Sequence, residues 1–181
     1  VDKKNPFDMG RIDSEKMYRL VKNWEWGNSG NPNVYHDVET RRNSITYRGH
    51  MARLIETLIL ENELDKAEEI ADLAMEKMPV DIFGYYIFLE PFIGAYYEVE
   101  AKEKARSLYK KVAAKYQENL NYYSGLSNNN QSKFVQDIYS DIERYKGLVD
   151  TMSLYEEDAF AKTEMEQFNG FLRLFTEEKS E

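Results

Sequence analysis

The stretch DKAEEIADLAMEKMP, residues 65 to 79, places alanine at 67, 71 and 74 and then a proline at 79. Steps of four and three return to one face of an α-helix, so the three alanines share a stripe. The preceding segment carries Leu54, Ile55 and Leu58 at helical spacing. Antiparallel helices pack with axes about 8–10 Å apart, and small side chains at the crossing allow the closer end of that range. Bulky residues on one helix facing alanines on the next predict a helical hairpin. Pro79 closes it, because proline cannot donate into the helix ladder.

The following segment repeats the scheme. Phe92, Ile93, Tyr96, Ala105, Tyr109 and Val112 fill the same slots, Phe92 lying 38 residues after Leu54 and Ala105 38 after Ala67, without a closing proline. Both registers resemble the tetratricopeptide repeat, whose unit is about 34 residues. The resemblance implies antiparallel helix pairs stacked as a short right-handed superhelix. Two ordinary hairpins, whose alanines reflect helix propensity alone, are the alternative.

The remaining chain is read the same way. Ser14 is a candidate N-cap for a helix of about three turns bearing Met17, Leu20, Val21 and Trp24. A Gly-, Asn- and Pro-rich stretch, 25–44, predicts a long structured loop, and loops of that length are often functional. Helices are expected over about 44–62, 64–78, 83–98 and 102–120, with Pro91 kinking or dividing the third of these. SGLSNNNQS (124–132) reads as a polar loop, with its Asn130-Gln131-Ser132 sequon a chance match. Two more amphipathic helices carry Val135, Ile138, Ile142, Tyr145 and Val149, then Ala161, Met165, Phe168, Leu172 and Phe175. The expectation is an all-α chain of about seven helices. Residues 1–43 would form an N-terminal helix plus loop and 44–181 a repeat region, together one compact domain.

Chemistry is scarce. With 33 acidic against 24 basic side chains the net charge is -9, which disfavours nucleic acid as a partner. No cysteine is present, so disulfides and thiolate chemistry are excluded and the compartment stays open. No phosphate loop, HExxH or GxSxG occurs. Carboxylates pair at Glu68-Glu69, Glu156-Glu157-Asp158 and Glu177-Glu178, read as a solvent face at 68–69 and as helix N-terminal acids at 156–158. His36 and His50 read as solvated loop histidines. No catalytic residue, metal site or cofactor is expected, and a hydrolase with an unrecognised acid pair is the remote alternative.

Two stretches look suited to binding. VYHDVETRRNSITYRGH (34–50) gathers Tyr35, Arg41, Arg42, Tyr47 and Arg48 in an acidic protein, and arginine and tyrosine are common anchors of recognition surfaces. Arg41, Arg48 and Asp37 would equally fix the loop to the first hairpin by internal ion pairs. GYYIFLEPF (84–92) offers Tyr85, Tyr86 and Phe88 to a ligand, with at least two of them expected in the core.

Taken together, KNWEWGNSG, VYHDVETRRNSITYR, ADLAMEKMPV, FGYYIFLEPFIGAYY and KYQENLNYYSGLS resemble the C-terminal tail of a bacterial integral-membrane family of uncharacterised proteins. The likeness runs from about Met9 to Phe175, and the family's membrane region is similar to protein O-mannosyltransferases. The resemblance implies an extracytoplasmic tail of a longer inner-membrane protein, with any sugar-transfer chemistry outside this chain. A start at VDKKNPFDMG, without an initiator methionine, agrees with a piece of a longer polypeptide. The expected role is a non-catalytic interaction or scaffolding domain for a protein or peptide partner. The alternative is a carbohydrate- or peptide-binding module that presents acceptor substrate to the membrane region.

Overall fold

The computed structural model describes residues 12–176; Met9, the opening VDKKNPFDMG and the Glu177-Glu178 pair lie outside them. The described residues are all-α, with no strand. Helices α1 (Ser14–Lys22), α2 (Val38–Leu60) and α3 (Leu64–Lys77) are followed by a single turn, α4 (Val80–Phe83). Next come α5 (Glu90–Glu98), α6 (Lys102–Ser124), a second single turn α7 (Asn128–Gln131), α8 (Val135–Ser153) and α9 (Ala159–Thr176). Seven of these have nine or more residues, as the periodicity predicted. Among the described residues, no helix is long and apolar enough to cross a membrane.

The chain divides into two compact units, one ending at Ala101 and the other beginning at Lys102. A boundary after residue 43 is not what forms. Asp37 accepts a hydrogen bond from the Thr40 backbone N–H and caps α2, so 38–43 belong to the same helix as Leu54. The loop 25–44 is correspondingly shorter, ending at Asp37.

In the first unit, α2 and α3 form the expected hairpin. Met51, Leu54, Ile55 and Leu58 are buried, and so are Ala67, Ile70, Ala71 and Ala74. Each buried Leu or Ile contributes about 1.5–3 kcal/mol relative to exposure. The turn between the helices is a Schellman motif: the Glu63 N–H reaches Leu58 O at 2.8 Å and the Asn62 N–H reaches Ile59 O at 2.9 Å. Asn62 sits in the left-handed region at φ 60°. The end of α5 has the same form, with Ala101 N–H to Tyr96 O at 2.8 Å and Glu100 N–H to Tyr97 O at 3.0 Å. Glu100 also has φ 60° and lies 38 residues after Asn62, so the turn repeats at the offset of the apolar pattern.

Pro91 divides the predicted helix 83–98. It sits in the first turn of α5, where its missing N–H loses no ladder bond, and a 3₁₀ turn, Tyr86–Phe88, precedes it. α5 packs on α2 and α3, and Tyr96 Oη donates to Asp72 Oδ1 at 2.9 Å. On α1 the cap is Asp13, accepting from Lys16 N–H, in place of Ser14, whose hydroxyl donates to Glu61. Glu69 is not a free solvent carboxylate: Tyr18 Oη and Lys22 Nζ both bond it, fastening α1 to α3.

The second unit packs α6, α8 and α9 around Tyr145, which stacks on Tyr116 and meets Phe168 edge-on at 5.2 Å. Arg106 bridges Glu156 and Asp158, and Lys102 Nζ lies 2.9 Å from the buried Glu156 carboxylate. Asp158 serves the start of α9, accepting from Phe160 N–H at 2.8 Å. The loop expected over 124–132 holds the turn α7 and the 3₁₀ turn Ser132–Phe134.

Candidate functional site

The seven candidate residues differ in their surroundings. Tyr35 is 87% exposed in the turn before α2, and Arg42 is exposed on α2. Arg41 is half-buried, with its Nε finding no hydrogen-bond partner among the described residues. Tyr85 and Tyr86 are half-buried and Phe88 is exposed, so none of the three is core. The segment turns through Gly84 (φ 68°, ψ -141°) and a left-handed Tyr85 (φ 49°), which swings these rings off the helical stripe.

Arg48 is the surprise among them. It is 0% exposed and makes no ion pair with Asp37. Its Nη2 donates to Met78 O at 2.7 Å and its Nη1 to Gly84 O at 2.7 Å and Tyr85 O at 3.3 Å. Met78 caps α3 at its C-terminus, where the helix dipole favours a cation. Burial pulls the guanidinium down to about 10, which leaves it charged at neutral pH. Arg48 is a structural keystone: α2 uses it to hold the segment 78–85.

Tyr47 lines a cleft. The cleft, of about 450 Å³, lies in the first unit among the end of α1, the turns of 25–36, the start of α2 and the segment 78–83. Trp24, Trp26 and Tyr47 wall one side. Their ring centroids are 5.3–5.7 Å apart at steep angles of 59–74°, the edge-to-face arrangement aromatic rings prefer. Phe83 and Met78 form another wall. His36 packs its ring 4.8 Å from Phe83 and places Nε2 3.0 Å from Ser29 O, so it is a built-in wall residue. His50, by contrast, is exposed on α2.

The turns that carry the rim are tightly specified. Gly27 has φ 55°, and a Cβ on Gly30 would stand 2.2 Å from Glu76 O, so the loop lies directly on the end of α3. Reverse-turn bonds run from Ser29 N–H to Trp26 O and from Asn31 N–H to Asn28 O. The resulting lining is mostly apolar; among the described residues Glu25 is its only carboxylate, and no Lys or Arg lines it.

Polar groups inside this lining go unanswered. Ser44 Oγ, Ser29 Oγ and Trp26 Nε1 are buried without a hydrogen-bond partner among the described residues, and Ser44 is 1% exposed. Such groups cost about 1–3 kcal/mol each unless something bonds them. A concave, mainly apolar cleft with a few converging polar groups is the form small-ligand sites take. The sequence did offer a signal: WEW in a Gly/Asn-rich stretch puts two indoles where no core stripe needs both.

Against protein families, curated proteins and solved structures, the chain matches none.

Proposed function

We propose that this chain is a non-catalytic helical-repeat interaction module whose first unit takes its ligand, or a group presented by a partner, in the Trp24/Trp26/Tyr47 cleft. One observation carries it: buried hydroxyl and indole groups without partners lie in the same cleft as three clustered aromatic rings. The cleft offers aromatic faces and hydrogen bonds but no nucleophile with a base beside it, so its chemistry is recognition. The module is the extracytoplasmic tail of a membrane glycosyltransferase-like protein; the family resemblance supports that context.

Both tryptophans of the chain, Trp24 and Trp26, line the cleft, so intrinsic emission reports on it directly. Titration with fractionated bacterial envelope extract is expected to give a saturable change in emission. A flat response to every fraction contradicts the reading. Sequencing the reading frame upstream of Val1 tests the context: a multi-spanning hydrophobic region is expected, and its absence contradicts the membrane assignment.

A further inference from the structure

The pattern of unanswered groups in the cleft selects among ligand classes by charge and by hydrogen-bonding role. An anion would meet no cation in the lining and would face Glu25. A quaternary ammonium would lie against Trp26 Nε1, which can only donate and so repels a cation. A hydrocarbon would leave Trp26 Nε1, Ser29 Oγ and Ser44 Oγ as unserved as before.

What fits is an uncharged molecule with an apolar face and several oxygens around its edge. A sugar ring has that form: its C–H face lies on aromatic rings, while its hydroxyls both donate and accept. A peptide is neutral too, but it brings an N–H for every carbonyl and so asks for acceptors. The unanswered set is led by a donor-only indole and two hydroxyls that serve either role.

We propose that the cleft binds a neutral saccharide of one or two rings, a size that its volume of about 450 Å³ accommodates. Trp24, Trp26 and Tyr47 supply the stacking faces. Trp26 Nε1 donates to a ring or hydroxyl oxygen, Ser44 and Ser29 exchange hydrogen bonds with hydroxyls, and Glu25 accepts at the rim. This ligand class rests on the reading of the cleft as the binding site.

The test titrates the purified chain with neutral methyl glycosides and the disaccharides maltose, cellobiose and diacetylchitobiose, reading tryptophan emission and calorimetric heat. Tetramethylammonium chloride, sodium phosphate and a capped neutral tripeptide form the other arms. At least one saccharide is expected to give a saturable shift. Ser44→Ala should weaken it about fivefold to tenfold, the worth of one hydrogen bond. The same variant should melt no lower than the parent, because it removes a buried hydroxyl with no partner among the described residues; a merely structural serine would lower the melting temperature and leave affinity alone. Trp26→Phe, which keeps an aromatic ring but loses the indole N–H, should weaken binding similarly. A response confined to the ammonium, phosphate or tripeptide arm overturns the saccharide and leaves the cleft as a site. Silence from every arm overturns both. Saccharide binding unchanged in both variants overturns the assigned contacts and with them the proposal.

Discussion

At the scale of single residues, Arg48 shows how a polar side chain can be essential to a fold without taking part in its site. Its two terminal nitrogens serve three carbonyls of residues 78, 84 and 85, the last of which also accepts from Phe88 N–H. Arg48→Leu removes the bonds to the Met78 and Gly84 carbonyls and should destabilise the first unit by about 2–4 kcal/mol in urea unfolding. A loss below 1 kcal/mol would mean the segment is held by other contacts. The sequence flagged this arginine as a ligand anchor or ion-pair partner because composition cannot tell a buried guanidinium from an exposed one. Ser44 and Trp26 were missed for the opposite reason. A lone serine in a polar stretch carries no periodic signal, and Trp24 fell onto the stripe of α1 and drew attention from its neighbour.

At the scale of elements, the legible parts are those with apolar periodicity. The alanines of α3 are buried as their spacing predicted, and Ala71→Leu should overpack that face and destabilise by about 1–3 kcal/mol. An unchanged melting temperature would contradict tight packing there. The start of α2 was not legible from periodicity, since VETRRN turns outward except for the half-buried Arg41; the signal was local, in Asp37 three residues before Thr40. The turns after α2 and α5 share one form. Glu100 holds a left-handed conformation that glycine adopts without strain, so Glu100→Gly should stabilise by about 0.5–1 kcal/mol, measured by chemical denaturation. The reverse case is Gly84, whose φ of 68° with ψ of -141° suits glycine alone. Gly84→Ala should cost about 1–3 kcal/mol and loosen the wall carrying Phe83.

At the scale of the whole molecule, the chain divides into two compact units, and nothing in composition marks the change at Ala101 and Lys102. The second unit carries its own titration behaviour. Burial raises the carboxyl of Glu164, opposed by Lys110, and raises that of Asp141, opposed by a bond from Asn119 and by Arg144. A raised acid binds its proton more tightly folded than unfolded, so its contribution is fully present below the ordinary carboxylate value. That contribution is lost as pH rises through the folded value. The second unit should therefore gain stability as pH falls from neutral toward the ordinary carboxylate range. Glu164→Gln should flatten that gain in melting curves taken across pH; an unaltered slope would show that Glu164 titrates as it does in the unfolded chain. The Arg106–Glu156–Asp158 clasp opposes the gain at lower pH, because Asp158 is lowered in the fold and its stabilising charge disappears once it protonates.

The central claim is that recognition happens in the cleft of the first unit and not on the exposed Tyr and Arg residues beside it. The most direct measurement compares Tyr47→Ala with a Tyr35→Ala/Arg42→Ala double variant in the same emission titration. Binding is predicted to vanish in Tyr47→Ala, which loses one wall of the cleft, and to persist undiminished in the double variant. The reverse pattern would place the site on the outer surface of α2 and contradict the account.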